Sequence, residues 1–134
     1  MKVSIIDWHR LCAWIKHVKQ NWIDGPELVK PLIARLSRAQ TCDPGAIPSD
    51  VVTMDSLVSV RELKTDKLST YRLAYPDSVD ESAGCVSVLT EFGANLLGAS
   101  VGECLDQPWP SGVCAVQIDS IAYQPEREQY SLHS

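Results

Sequence analysis

Apolar residues recur at helical spacing near the start of the chain. Trp8, Leu11, Ile15, Val18 and Trp22 fall three, four, three and four residues apart, the a/d seam of a helix that packs on another helix. Asp7 stands where an N-cap belongs. The seam stops at Ile23-Asp24-Gly25-Pro26, a turn whose glycine relaxes the backbone and whose proline resists continuation of the preceding helix. A second helix is expected to run to about Gln40, with Leu28 or Val29, Leu32, Leu36 and Ala39 on one face. Pro31 lacks a backbone donor, so the well-formed part of that helix should begin there. The pattern predicts an antiparallel helical hairpin, a short coiled coil, over residues 1–47.

Residues 41–50, "TCDPGAIPSD", carry two prolines, a glycine and no periodicity, which makes them the linker. Beyond them the pattern changes to strands. Val51–Met54 and Leu57–Leu63 are rich in β-formers, and Leu68–Tyr75 puts Tyr71, Leu73 and Tyr75 on one face with Thr70 and Arg72 on the other. "LKTDKL" between the last two reads as a hairpin turn, residues 76–84 as an acidic surface loop, and Val86–Leu89 as a further strand. Ala94–Leu97 is a turn of helix bracketed by Gly93 and Gly98, with Gly102 leading into a return strand. "PWPSG" is a second hairpin turn. The last strand, Val113–Gln124, points Val116 and Ile118 inward and then Ile121 and Tyr123, so its alternation changes phase and predicts a β-bulge near Asp119-Ser120. The fold class is α+β: a helical hairpin over 1–47, then an antiparallel β domain with one short helix over 48–134.

Composition narrows the function. The chain has 134 residues and a formal charge of -5, enough for one modest core. Residues 1–47 hold seven Lys/Arg against four Asp/Glu, net +3, and residues 48–134 five against thirteen, net -8. The acidic part argues against phosphate-backbone binding and for a basic protein surface as partner. The five cysteines, Cys12, Cys42, Cys85, Cys104 and Cys114, include no C-x-x-C pair and read as reduced thiols of a cytoplasmic protein. Asp7, His9, Arg10 and Lys16 interrupt any export signal in the opening stretch, and no segment is apolar enough to span a membrane.

"DVVTMDSLVSVREL", "YRLAYP", "SVLTEFGANLLGASVGECL" and "IDSIAYQPE", in that order, resemble the C-terminal domain shared by the Gre transcript-cleavage factors and the Rnk-type regulators of nucleoside diphosphate kinase. The shared glycine-framed pattern is met by Phe92, Gly93, Leu96, Leu97, Gly98, Val101 and Gly102. The resemblance covers about residues 50–127, and "RLSRAQTC" and "YQPE" favour the Rnk branch. It implies an FKBP-like β domain that docks on RNA polymerase at the rim of its secondary channel, as a monomer, with no cofactor and no sequence-specific contact to nucleic acid. The glycines then hold a one-turn helix and the loop before it as one rigid corner, with Gly98 suited to a left-handed cap. The contact the resemblance implies maps onto Leu89, Thr90, Glu91 and Phe92. This chain departs there, having Thr90-Glu91 where the Gre pattern has Ser-Pro.

The resemblance also draws attention to Asp24 and Glu27 at the hairpin turn, because Gre factors carry paired acids at that tip to help hold a catalytic Mg²⁺. A helix from Asp7 to Trp22 spans about 24 Å, and the Gre hairpin is markedly longer. The expected roles are therefore local: Asp24 belongs to the turn and Glu27 offsets a helix dipole. Trp14 lies off the seam and is either an interface residue or packed on the sheet, and Phe92 is either a core plug or a contact. His9, His17 and His133 have no Cys or carboxylate at ligand or triad spacing, so no catalytic or metal-ligating residue is expected. Two functions follow: a non-enzymatic regulator that occupies the secondary channel, competes with Gre factors without cleaving, and affects nucleoside diphosphate kinase levels; or an FKBP-like peptidyl-prolyl isomerase or general protein-binding module, the isomerase needing Tyr71, Tyr75, Phe92, Trp109 and Tyr123 to converge. No phosphate-binding glycine loop indicates kinase activity in the chain itself.

Overall fold

The computed structural model of the chain describes residues 1–80, 84–109 and 112–131. Part of the acidic loop (81–83), the tip of the second hairpin turn (110–111) and His133 lie outside the described residues.

Helix α1 spans Ile5–Asn21. Its N-cap is Ser4, whose hydroxyl accepts from the Asp7 amide at 3.1 Å. This corrects the expected Asp7 cap: with the helix begun earlier, Asp7 lies in its first turn and is buried. Of the seam, Leu11 and Val18 are fully buried and Trp8 and Ile15 pack on the core, while Trp22 becomes an exposed C-cap. Asp24 takes a left-handed conformation (φ 56°) and the chain doubles back at Gly25. A Cβ on Gly25 would sit 2.0 Å from the Val18 carbonyl oxygen, so the second limb approaches α1 closer than any side chain allows.

The second limb is two pieces, α2 (Gly25–Leu28) and α3 (Lys30–Leu36). Pro31 falls in the first turn of α3, where its missing donor costs nothing. Val29 is the buried member of the Leu28/Val29 pair. The limb ends at Leu36, and Gln40–Cys42 forms strand β2, parallel to β1 (Lys2–Ser4). These two strands, three residues each, close the helical unit at its base. The linker beyond contains a 3₁₀ turn at Pro44–Ala46.

The sheet has the order β5-β4-β3-β7-β6, built from β3 (Leu57–Glu62), β4 (Leu68–Ala74), β5 (Cys85–Ser87), β6 (Cys104–Trp109) and β7 (Gly112–Tyr123). It is mixed rather than antiparallel throughout, since β5 pairs with β4 in parallel. Two further helices are α4 (Glu91–Leu96) and α5 (Pro125–Ser131). Val51–Met54, expected as a strand, forms only an isolated bridge from Val51 to Ser100. Its β-like composition reflects burial, because all four residues are buried. The predicted bulge is present: Ser59 pairs with Ser120 and Val60 with Ile118, which leaves Asp119 unpaired. A second irregularity at Ala122 turns Tyr123 outward, 41% exposed, against the expected inward position.

One hydrophobic cluster joins the helices to the sheet. Val3, Leu11, Leu32 and Leu36 belong to it together with Val58, Val60, Leu73, Leu96, Val116 and Ile118, so the core crosses residue 47 without a break. Replacing Gly25 by alanine should force the two limbs apart and cost about 1–3 kcal/mol, read as a lower denaturation midpoint. An unchanged midpoint would show that the close approach at Val18 is dispensable.

Candidate functional site

The glycine-framed corner is built from four segments. Thr90 caps α4: its hydroxyl accepts from the Gly93 amide at 3.0 Å and donates to the Ser87 carbonyl at 2.8 Å. The Leu89 amide donates to the Ser87 hydroxyl at 3.1 Å. The loop is therefore pinned by hydrogen bonds where the Gre pattern would use a proline. Gly93 is required by contact, since a Cβ there would lie 2.0 Å from the Ser87 carbonyl oxygen. Gly98 has the expected positive φ, +78°. The exit from α4 is stitched to residues 50–52: Gly98 donates to Val52, Val52 to Ala99 and Val101 to Asp50 at 2.8–2.9 Å.

The four residues assigned to the corner differ in what they offer. Phe92 is buried, its ring edge-on to Tyr71 with centroids 5.5 Å apart, which makes it a core plug. Leu89 is half-buried against the core. Thr90 and Glu91 are exposed, and Glu91 lines a groove of about 310 Å³ with Asn95 of α4 and Pro31, Ala34, Arg35 and Arg38 of the second limb.

Arg35 was not singled out by the sequence, though its position near the end of a helix is a usual place for a cation. Its Nε donates to the Leu97 carbonyl at 2.8 Å, joining α3 to the end of α4. Burial lowers the pKa of this guanidinium, Glu103 opposes that effect, and the like charge of Arg38 adds to it.

The hairpin tip is a separate place, at the far end of α1, which is about 26 Å long at 1.5 Å per residue. Asp24 occupies the turn without capping α2 through its side chain. Glu27 is paired with Lys30 at 2.8 Å, both exposed. Ile23 is 91% exposed and Trp22 40%, so the tip presents apolar surface beside its acids. Trp14 packs on the core and meets the His17 ring edge-on at 5.7 Å. His9 and His17 are exposed, and no metal-binding group of His, Cys, Asp and Glu occurs among the described residues. Cys12, Cys42, Cys85 and Cys104 are free.

A buried polar junction holds the start of α1 to the sheet. Asp7 accepts from the Tyr75 hydroxyl at 3.1 Å and from the Met54 amide at 3.3 Å. Beside it the Thr53 hydroxyl donates to Glu126 of α5 at 2.6 Å and meets Ser56 at 2.8 Å. Burial and then the charge of Glu126 push the Asp7 carboxyl up to about 6, against the hydrogen bonds from Tyr75 and Met54. Burial and the neighbouring Asp7 likewise raise the Tyr75 hydroxyl, and burial raises Asp55. Because the folded carboxyl of Asp7 holds its proton more tightly than an unfolded one, its contribution to stability is full below about pH 4 and is lost as pH rises through 6. Asp7→Asn should flatten the decline in unfolding free energy between pH 4.5 and 7.5 by up to about 2 kcal/mol. Parallel pH profiles for the two proteins would remove Asp7 as the cause.

Helical segments seated on a mixed sheet, with a glycine-framed corner beside them, define a mixed α+β fold. The chain belongs to the family described as "Transcription elongation factor, GreA/GreB, C-term", which matches residues 47–123. It is 38% identical over 103 residues to the "Regulator of nucleoside diphosphate kinase" of Escherichia coli K12, covering 76% of each chain. It is 30% identical over 106 residues to "Transcription elongation factor GreA" of Thermodesulfovibrio yellowstonii, covering 79% of this chain and 66% of that one. Among solved structures, "Prokaryotic transcription elongation factor GreA/GreB from Nitrosomonas europaea" superposes with a TM-score of 0.76 at 34% identity, over 92% of this chain and 99% of the other. Gfh1 of Thermus thermophilus shares the fold, with a TM-score of 0.51 at 18% identity and coverage of 92% and 99%. The relatives are named as regulators and elongation factors, and no helix among the described residues is long and apolar enough to cross a membrane.

Proposed function

We propose that the chain is a non-enzymatic cytoplasmic regulator of transcription that docks as a monomer on RNA polymerase near the secondary channel, and that it competes with Gre factors without stimulating cleavage. The observation that carries this reading is the preorganised corner: Thr90 fixes the loop, Phe92 and Gly93 are locked into the core, and Glu91 is left exposed at its apex. On this reading residues 48–134 form an FKBP-like docking unit and the hairpin over 1–47 is its coiled-coil projection. The relative named as a regulator of nucleoside diphosphate kinase supports an effect on that enzyme's levels as a downstream consequence.

Two observations support the absence of cleavage. The helical projection is about 26 Å long, and at its tip Glu27 is engaged by Lys30 in an exposed ion pair that a metal would have to displace. The isomerase alternative is not carried forward. Tyr71 and Phe92 meet edge-on, but Phe92 and Tyr75 are buried in the core and Tyr123 is turned out to solvent, so these rings do not line one open pocket, and the side chain of Trp109 lies outside those described.

The test is a backtracked elongation complex incubated with the full chain, scored for release of 3′ fragments with and without a Gre factor. Inhibition of the Gre factor with no cleavage by the chain itself is the expected outcome. Glu91→Lys should relieve that inhibition on the order of tenfold in concentration while melting as the wild type does. Cleavage by the chain that vanishes in an Asp24→Ala, Glu27→Ala double variant would overturn the reading.

A further inference from the structure

The groove between the second helical limb and the corner is charged, and two of its exposed charges, Arg38 and Glu91, are left without an ion-pair partner among the described residues. Its walls come from both halves of the chain: Pro31, Ala34, Arg35 and Arg38 on one side, Glu91 and Asn95 of α4 on the other. The bond from Arg35 to the Leu97 carbonyl sets the distance between the walls. That bond uses Nε and leaves the outer face of the guanidinium available. Arg38, Ala34 and Glu91 are exposed. Among the described residues neither Arg38 nor Glu91 has an ion-pair partner, although they line the same groove. Two guanidiniums thus line one groove: Arg35 feels the favourable charge of Glu103 and, less strongly, the like charge of Arg38, while Arg38 itself has no ion-pair partner among the described residues.

We infer that this groove is the second half of the docking surface, and that it receives a segment of RNA polymerase carrying an acidic side chain for Arg35 and Arg38 and a basic one for Glu91. The inference rests on the docking reading above and adds to it that the helical half of the chain, net +3, takes part in recognition. The order of charge across the groove sets the direction of the bound segment. A partner laid the other way would put an acid on Glu91 and a base on two arginines, and like-charge juxtaposition of that kind is strongly disfavoured. Arg35 is a positioning residue here because it holds the two walls in register. Arg38 carries the contact.

The experiment measures binding of the full chain to purified core RNA polymerase for the wild type, Arg38→Glu, Arg38→Lys, Ala34→Trp and Glu91→Lys, with melting temperature recorded for each. Arg38→Glu should weaken binding on the order of tenfold, and the loss should shrink at high salt because the charges are exposed. Arg38→Lys should bind close to the wild type. Ala34→Trp, which fills the groove without touching a charge, should weaken binding at any salt. Wild-type affinity in both Arg38→Glu and Ala34→Trp, together with loss of binding in Glu91→Lys, would overturn the groove inference and leave corner docking intact. Absence of binding by the wild type would overturn the docking reading, and the inference with it.

Discussion

The helical part of this chain cannot bury its apolar face alone, and the rest of the structure follows from that. Its return limb is a four-residue and a seven-residue helix, whereas isolated helices shorter than roughly 12–15 residues are marginal in water. The seven-residue helix persists because Leu32 and Leu36 enter the same cluster as Leu73, Leu96 and Ile118, and the four-residue one because Gly25 packs directly on α1. The Asp7 junction then fixes α1 on the sheet, and the β1–β2 pairing and the Arg35 bond to Leu97 fix the return limb at its base and side. A projection held in this way is a rigid extension of the sheet, so the direction of the tip is set relative to the corner.

Burying Asp7 is the costly part of that arrangement. A carboxylate removed from water needs partners, and it has two, one from α1's neighbour Met54 and one from Tyr75 at the end of β4. Glu126, itself buried, is close enough to oppose the charged form. An apolar contact in the same place would bury area without direction. The hydrogen-bonded carboxyl instead selects one register of α1 on the sheet, because a shift by one residue would carry Asp7 a quarter-turn or more away from both donors.

Much of the sheet was legible because β3, β4 and β7 alternate cleanly, and the change of phase in β7 is visible in Val116, Ile118 and Ile121 before any coordinates are known. The corner was legible through its glycines, of which Gly98 adopts the left-handed conformation its position suggested. What escaped was decided at a distance. β1 and β2 are three residues each, too short for any period to register. Val51–Met54 has strand-like composition but is buried by packing without a ladder. Asp7 looks like a cap, and only the competing Ser4 three residues earlier moves it into the interior. Arg35 is one basic residue on a helix, and its importance lies in a carbonyl 62 positions away.

The substitution of Thr90-Glu91 for the Ser-Pro of the resembled pattern shows how the same physical end is reached by different means. A proline stiffens a loop by removing a torsion and thereby reduces the entropy lost on binding. Here the Thr90 hydroxyl bridges Ser87 and Gly93 and the Ser87 hydroxyl holds Leu89, so the loop is stiffened by three hydrogen bonds and the position after the cap is freed for a charged side chain. That side chain, Glu91, points into a groove whose other wall is basic. Exchanging a proline for a glutamate thus converts a purely shape-defining position into one that also carries charge, set at the seam between the two halves of the chain.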